Sequence, residues 1–173
     1  QSANALTDSQ IDPNIVNIVN STSGVGTIIP QTLIAAQLET NSGTYNITLR
    51  VVEDIKTYYN TGTYSLSGQL ATNQTQINIG KILAQQTNTT KGDNVNLTIN
   101  SQTLNVQIVG IINTKTQSDS EIIIQTSTLT NLTNQPLNYI SFIEFSAKNS
   151  SINQSFLQNL NNRLPENVII TKT

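Results

Sequence analysis

The chain has 173 residues, of which 10% are charged, with a net charge of −2, no histidine and no cysteine. This length fits one ordinary domain or two small lobes, and the low charge leaves no cationic surface for nucleic acid. Without cysteine and histidine the sequence lacks disulfides, thiolate nucleophiles, the commonest metal ligand and the usual general base, so we expect no enzyme and no catalytic, cofactor or metal site.

The first predicted element is a helix that begins at Asp12 and Pro13. An aspartate cap followed by proline at the first helical position is a typical helix start, and Ile15 and Val19 then share one face. The glycine-containing residues 24–26 end this helix. They do not form a phosphate loop, because no Lys-Ser/Thr pair follows them and no strand precedes them.

Two strands are predicted next, over residues 33–38 and 45–52, joined by a turn. Apolar and polar residues alternate in the second strand, which is typical of a strand with one buried face. The adjacent Glu53 and Asp54 indicate a solvated strand end. Neighbouring strand residues point to opposite faces, so these two acids cannot act together as acid and base. The three tyrosines of residues 58–64 are expected to pack under a loop.

The middle of the chain is predicted to fold as a short helix followed by a hairpin. Asn78 can cap the helix, in which Ile79 and Leu83 lie on one face at helical spacing. A Lys-Gly-Asp turn follows. Residues 95–99 and 104–112 then alternate apolar and polar side chains, with a more completely buried run at the end, and this pattern predicts the two strands of the hairpin.

The last third of the chain mixes strands with helices. Asp119 and Glu121 are two isolated carboxylates, which fall short of the roughly six to eight oxygens that calcium takes, so no metal site is expected. The mixture indicates the α+β class. The predicted elements are a buried strand over residues 121–125, a short helix capped by Ser127, a strand over 139–145, an amphipathic helix over 151–164 and a final strand over 168–170.

Asparagine, glutamine, serine and threonine replace most charged residues on the polar faces, which is more typical of an exported protein than of a cytoplasmic one. Roughly six Asn-x-Ser/Thr sequons are expected by chance from this composition, so the observed number is barely an excess. We nevertheless take them as candidate N-glycosylation sites on a surface exposed to an extracellular space. They begin at Asn20, Asn46, Asn73, Asn88, Asn96, Asn131, Asn149 and Asn153.

No apolar run approaches the roughly 18 residues of a membrane span, and the first residues lack the basic start and apolar middle of a signal peptide. If the protein is held at a membrane, the anchoring segments are expected to lie outside this chain.

Several short motifs occur in a fixed order along the chain. They are Asn-Ile-Gly-Lys-Ile-Leu-Ala at 78–84, Lys-Gly-Asp-x-Val-x-Leu at 91–97, Val-x-Ile-Val-Gly-Ile at 106–111 and Ser-Asp-x-x-Ile-Ile-Ile at 118–124, before a leucine-bearing helix at 129–132. This order resembles the extracytoplasmic core domain of MacB/FtsX-type ABC transporter permeases, and the resemblance covers nearly the whole chain. It departs at residues 66–70, where Leu-Ser-Gly-Gln-Leu lacks the arginine of the family's Gly-Arg segment.

The resemblance implies a domain inserted between two transmembrane helices of a permease, on the extracytoplasmic side of the membrane. It implies two lobes: a mixed strand-helix lobe built from residues 5–54 and 139–173, and a β-rich distal lobe with a short helix from residues 55–136. Ala5 and Thr173 are then expected at the same end of the fold. The implied partners are the flanking permease helices, a separate cytoplasmic ATPase subunit and a second permease in a homodimer.

In this family the domain transmits conformational change and contacts substrate or a partner outside the membrane, without chemistry of its own. The alternative from a different class is a glycosylated structural surface protein, such as a pilus, thread or surface-layer subunit. That alternative predicts almost no helix and self-assembly through an exposed strand edge. The predicted helix over residues 151–164 counts against it.

Overall fold

The computed structural model describes residues 10–72, 75–148 and 154–171. A single mixed sheet organises these residues, with short helices packed on it. The helices are α1 Asn14–Asn20, α2 Ile55–Tyr59, α3 Lys81–Thr87, α4 Thr126–Thr133 and α5 Gln154–Arg163, with one 3-10 turn at Gln117–Ser120. The strands are β1 Val25–Thr40, β2 Gly43–Val52, β3 Ser65–Gly68, β4 Gln76–Gly80, β5 Asn94–Ile99, β6 Gln102–Asn113, β7 Ile122–Gln125 and β8 Phe142–Ala147.

Six strands close into a ring in the order β2-β7-β4-β6-β5-β1, and β1 pairs back with β2. Alternate side chains of these strands meet in one core, in which Leu38, Leu49, Ile77, Leu97 and Ile108 are fully buried. Strands that alternate in this way bury one face and leave the other to helices or water. We call these six strands, with the helices α3 and α4 packed against their core, the ring.

The strand β1 continues beyond the ring. Its first residues pair with β8, whereas its residues from Gln31 onward pair with β2. Beside this extension lies a second apolar cluster, in which Ile15, Val19, Val25 and Leu160 are buried. We call α1, the start of β1, β8 and α5 together the base. One continuous strand therefore joins the base to the ring.

The predicted mixture of helices and strands is confirmed as a strand-rich α+β fold. The predicted division into two lobes stays a prediction. The strand β2, assigned from the sequence to the chain-end lobe, pairs with β7, assigned to the distal lobe. A boundary at residue 54 would therefore pass through the closed ring. The expected ends at Ala5 and Thr173 lie outside the described residues.

The predicted helix cap at Asn78 is wrong. Asn78 lies inside β4 and is fully buried, and the helix α3 starts only at Lys81. Ile77 and Ile79 on either side of it are also fully buried, because β4 is sandwiched between β6 and β7 and covered on both faces. Ile77 and Ile79 alternate with Gln76 and Asn78 as expected for a strand, but Ile79 also stands at helical spacing from Ile82 and Leu83 of α3, so the helical pattern in the sequence begins too early.

The predicted solvated strand end is observed, because Glu53 and Asp54 are exposed directly after β2. Asp54 has the further role of capping α2, since its Oδ1 accepts hydrogen bonds from the backbone N–H groups of Lys56 at 2.9 Å and Thr57 at 3.2 Å. One other predicted strand differs from the structure. Residues 168–170 form no strand, although Val168 and Ile170 pack against the base cluster. The predicted helix over 151–164 is observed as α5, and its first residues lie outside the described part.

Both predicted hairpins are confirmed. The strands β1 and β2 pair from Thr40 and Gly43 outward, and β5 pairs with β6 along its whole length. The second hairpin turns at Asn100 and Ser101, which both adopt positive φ angles, 48° and 68°. Two successive left-handed residues are what the right-handed twist of a tight hairpin requires.

Candidate functional site

Arg50 is the centre of a buried polar cluster at the junction of ring and base. On β2 it alternates with Leu49 and Val51, so it points away from the ring core. Only 6% of its surface is exposed, since α2 and β8 cover this end of the strand. An arginine buried this deeply needs partners for its donors.

Glu121 and Gln31 supply these partners. Arg50 Nε donates to Glu121 Oε1 at 2.7 Å, and Arg50 Nη2 donates to Glu121 Oε2 at 3.2 Å, which makes the pair bidentate. Arg50 Nη1 donates to the side-chain oxygen of Gln31. Glu121 is 4% exposed and Gln31 is fully buried. The two unit charges therefore neutralise each other inside the protein, at fixed geometry.

Aromatic rings flank the guanidinium group. Its carbon lies 5.7 Å from the ring centre of Tyr58 and 5.6 Å from that of Phe142. Tyr58 belongs to α2, which directly follows the ring strand β2, whereas Phe142 begins β8 in the base. Arg50 thus contacts both parts of the molecule, and cation–π attraction adds to the ion pair.

Gln31 occupies the point where β1 passes from base to ring. It is paired with Phe142 of β8 and with Val52 of β2. Its backbone oxygen also accepts a hydrogen bond from the N–H of Ser141 at 2.8 Å, and Ser141 Oγ accepts one from the N–H of Leu33 at 2.8 Å. The junction is therefore held by backbone pairing as well as by the Arg50 cluster.

The electrostatics of the cluster favour the charged form of Arg50. Burial alone lowers the pKa of Arg50, but the hydrogen bond and charge of Glu121 outweigh this effect, so the pKa of Arg50 is raised. An arginine does not give up its proton at physiological pH. The arrangement can hold structural elements together and offers no proton transfer.

Asp119 next to this pair is also fully engaged. It is 2% exposed, and its carboxylate accepts hydrogen bonds from the N–H and hydroxyl of Thr114 at 2.7 and 2.8 Å and from the N–H of Lys115 at 2.7 Å. These bonds fix the turn in which Lys115 has a positive φ of 61°. Within residues 10–72, 75–148 and 154–171, no group of three or more His, Cys, Asp or Glu residues could hold a metal ion.

Tyr58 and Tyr59 pack between α2 and the outer face of the sheet, in agreement with the packing role expected for the tyrosines of residues 58–64. Tyr59 is 5% exposed, and its ring centre lies 5.0 Å from that of Tyr58. Burial raises the pKa of both phenols above the ordinary value. They therefore stay neutral in the folded protein at pH values where they ionise in the unfolded chain.

Stability is consequently expected to fall as the pH rises above about 10, the pKa of an unfolded tyrosine. Below that pH both tyrosines are neutral in the folded and in the unfolded protein, so their burial stabilises the fold fully. Above that pH only the unfolded chain releases the phenol protons, which favours unfolding and lowers the stability. Urea unfolding at pH 8 and pH 10.5 measures the loss. Tyr59→Phe should lose less between the two pH values than the original protein, and an equal loss in both proteins would contradict the assignment.

The candidate glycosylation sites are scattered over the described surface. Asn20, Asn46, Asn88 and Asn131 are exposed, whereas Asn96 is half-buried and its side chain accepts a hydrogen bond from Asn105 at 3.0 Å. The hydroxyl-bearing residue of the first sequon, Thr22, is only 3% exposed. Asn73, Asn149 and Asn153 lie outside the described residues. Glycosylation at all of these positions stays a prediction.

The Arg50 cluster was missed by sequence reasoning, which placed Arg50 on the wet face of its strand. A signal was present: Arg50 directly precedes two valines, and Glu121 directly precedes three isoleucines. Opposite charges beside two buried runs are candidates for a buried pair. Their separation of 71 residues in the sequence gave no reason to join them.

The fold matches solved structures of transporter domains. The extracellular domain of the noncanonic ABC-type transporter YknZ from Gram-positive bacteria matches with a TM-score of 0.63 and 14% identity, over 92% of this chain and 83% of that one. The periplasmic region of MacB from Actinobacillus actinomycetemcomitans matches with a TM-score of 0.65 and 15% identity, over 88% and 72%. A domain assigned to a permease protein from Porphyromonas gingivalis matches with a TM-score of 0.60 and 14% identity, over 91% and 79%.

No protein-family model and no curated protein matches the sequence. The three structural matches confirm the predicted resemblance to a MacB/FtsX-type extracytoplasmic domain at the level of the fold. No helix within the described residues is long and apolar enough to cross a membrane.

Proposed function

We propose that this chain is the extracytoplasmic domain of an ABC transporter permease subunit, and that it transmits conformational change between the membrane and a substrate or partner outside it. The observation that carries the proposal is the match of its fold, over 88–92% of the chain, to extracellular and periplasmic domains of such transporters. Fold alone does not define function. The arrangement of the chain ends and of the junction supplies the mechanical argument.

Both ends of the described chain reach the base. Ile11 forms a β-bridge with Ile140, and Ile11 and Ile170 pack on the same apolar cluster. Segments that continue from these ends into two membrane helices would hold the base at two points. A shift of those helices would then move the base directly.

The ring follows the base because the junction offers little freedom. The strand β1 crosses it without a break, and Arg50 of the ring strand β2, held by Glu121, contacts Phe142 of the base. Packed layers move as units, and flexing occurs in segments that lack such contacts. The proposed lobes, from residues 5–54 with 139–173 and from 55–136, would therefore move together.

The proposal includes the three partners that the family resemblance implies. The flanking permease helices would transmit motion, a separate cytoplasmic ATPase would supply the energy, and a second permease would complete a homodimer. The domain itself would sit outside the cytoplasm. The alternative, a glycosylated structural surface protein, predicts almost no helix, whereas α1 to α5 occupy a substantial part of the described chain.

Labelling of a single cysteine tests the location. Residues 1–173 contain no cysteine, so Asn131→Cys on the exposed face of α4 places one reactive thiol in this domain, and any cysteine elsewhere in the full-length protein is first replaced by serine. In intact cells that produce the full-length protein, a membrane-impermeant maleimide should label this variant as fully as in permeabilised cells. The matched control Ala36→Cys, at a 7% exposed position in the ring core, should stay unlabelled in both.

Labelling of Asn131→Cys only after permeabilisation would place the domain in the cytoplasm and overturn the proposal. Equal labelling of Ala36→Cys and Asn131→Cys would show that the reagent reports an unfolded chain, and the comparison would then be repeated after selection of folded protein by protease resistance.

A further inference from the structure

The strand β3 has an open edge. It pairs with β6 on one side, and all four of its residues are exposed. No strand pairs with its other side within the part of the chain that the structure describes. An unpaired edge presents backbone donors and acceptors to any extended segment that approaches it.

The pairing pattern identifies which backbone groups face outward. Gln69 N–H donates to Val109 oxygen at 3.0 Å, and Gly68 stands opposite Gly110. Hydrogen-bonded and non-hydrogen-bonded pairs alternate along an antiparallel ladder, so the pairs next to Gln69 and Val109 are in turn non-bonded, bonded and non-bonded. The third of these pairs is Leu66 with Ile112. The N–H and C=O of Leu66 therefore point away from β6 and are free to bind.

An apolar groove runs beside this edge. It has a volume of about 490 Å³ and lies between β3, the end of β6 and the outer face of α3, with Leu66, Ile111 and Ala84 among its lining residues. Leu66 is 37% exposed, and Ile82 on the neighbouring surface of α3 is 44% exposed. Among the described residues the only other large apolar side chain so exposed is Ile169, in the segment that follows α5.

Lys81 gives the groove its charge. It is the only charged residue in the lining, which contains no carboxylate. The only ion pair among residues 10–72, 75–148 and 154–171 joins Arg50 and Glu121, so the ammonium group of Lys81 has no carboxylate partner there. A negative charge on a ligand would complement Lys81 in this groove.

We propose that β3 and this groove bind an extended peptide segment of a partner protein, which adds a strand to the free edge. The backbone of the peptide pairs with Leu66, an apolar side chain enters the groove, and a carboxylate meets Lys81. Main-chain bonds supply the affinity in this mode of recognition, and alternate side chains supply the specificity.

This inference rests on the proposed function, because it states which kind of partner the extracytoplasmic domain would contact. Only the location of that partner outside the membrane depends on the proposed function. Peptide binding is measured with the purified full chain, and the location is measured by cysteine labelling in cells. Failure of one experiment therefore does not imply failure of the other.

The test uses a synthetic peptide that alternates valine and threonine around one central aspartate, with blocked termini. We expect saturable changes in the amide chemical shifts of Leu66, Ser67 and Lys81 in the labelled protein. The same peptide with its edge-facing amides N-methylated should bind at least about tenfold more weakly, because it has lost its backbone donors. The matched variant Ile169→Asn should leave binding unchanged.

Two substitutions separate the contributions. Leu66→Pro removes the outward N–H and should weaken binding about tenfold, while proline's φ remains compatible with an edge strand. Lys81→Gln should weaken the aspartate peptide about threefold and leave its asparagine analogue unaffected. No saturable shift at β3, or equal binding of the N-methylated peptide, would overturn the proposal. The comparison of Lys81→Gln with the original protein remains a valid test even if Leu66→Pro does not fold.

Discussion

Replacement of Arg50 by methionine is expected to lower the free energy of unfolding by about 3–5 kcal/mol. The substitution keeps an unbranched chain of similar length but removes the charge that Glu121 faces. Glu121 is 4% exposed and receives two hydrogen bonds from Arg50, so its carboxylate would be left buried without its counterion. The loss would consume a large part of the roughly 5–15 kcal/mol that stabilises an ordinary domain.

The double variant Arg50→Met with Glu121→Leu should recover most of this loss, because apolar side chains of similar volume often replace a buried pair at little cost. Arg163→Met is the matched control. Arg163 is exposed and donates to the hydroxyls of Thr22 and Ser21, so its loss should cost less than about 1 kcal/mol. Urea unfolding of the four proteins measures the series. A loss in Arg50→Met no greater than in Arg163→Met would contradict the structural role of the pair.

The second large effect is expected from Gly80→Ala. Gly80 ends β4, and a Cβ atom at this position would lie 2.3 Å from both the backbone carbon and the backbone oxygen of Asp119. No side-chain rotation relieves a clash with backbone, and Asp119 is fixed by its bonds to Thr114 and Lys115. Overpacking of this kind costs about 1–3 kcal/mol and sometimes more.

Gly62→Ala is the control for this prediction. A Cβ atom at Gly62 meets nothing within 4 Å, and its φ is not positive. The substitution should therefore be neutral or stabilise by up to about 1 kcal/mol, through the lower entropy of the unfolded chain. Thermal unfolding of both variants is the measurement. Equal midpoints would show that the close contact of β4 with the 3-10 turn is absent in solution.

Local sequence signals were sufficient for the hairpins of the fold. The strands β5 and β6 alternate apolar and polar residues, and their turn offers Asn100, which tolerates a left-handed backbone. The strands β1 and β2 follow the same logic. In each case the residues that decide the structure are neighbours in the sequence, so the pattern carries the information directly.

Features that depend on distant residues could not be predicted in this way. The strand β4 is buried by β6 and β7, which follow it much later, and Ile79 fits the helical spacing of Ile82 and Leu83 as well as it fits the strand. Arg50 is buried because α2 and β8 cover it, and its pattern within β2 indicates only a polar face. The closure of the ring through β1 and β2 likewise depends on a pairing order that local patterns do not specify.

The most direct test measures whether the ring and the base move as one rigid body in an assembled transporter. Spin labels at Asn131→Cys on α4 and Asn159→Cys on α5, both exposed positions, report the distance between the two parts. If the Arg50 junction joins them into one rigid body, this distance shows one narrow distribution, identical with and without bound nucleotide on the ATPase subunit. A second distance that appears on nucleotide binding would mean that the ring swings on the base, and would contradict transmission through a rigid junction.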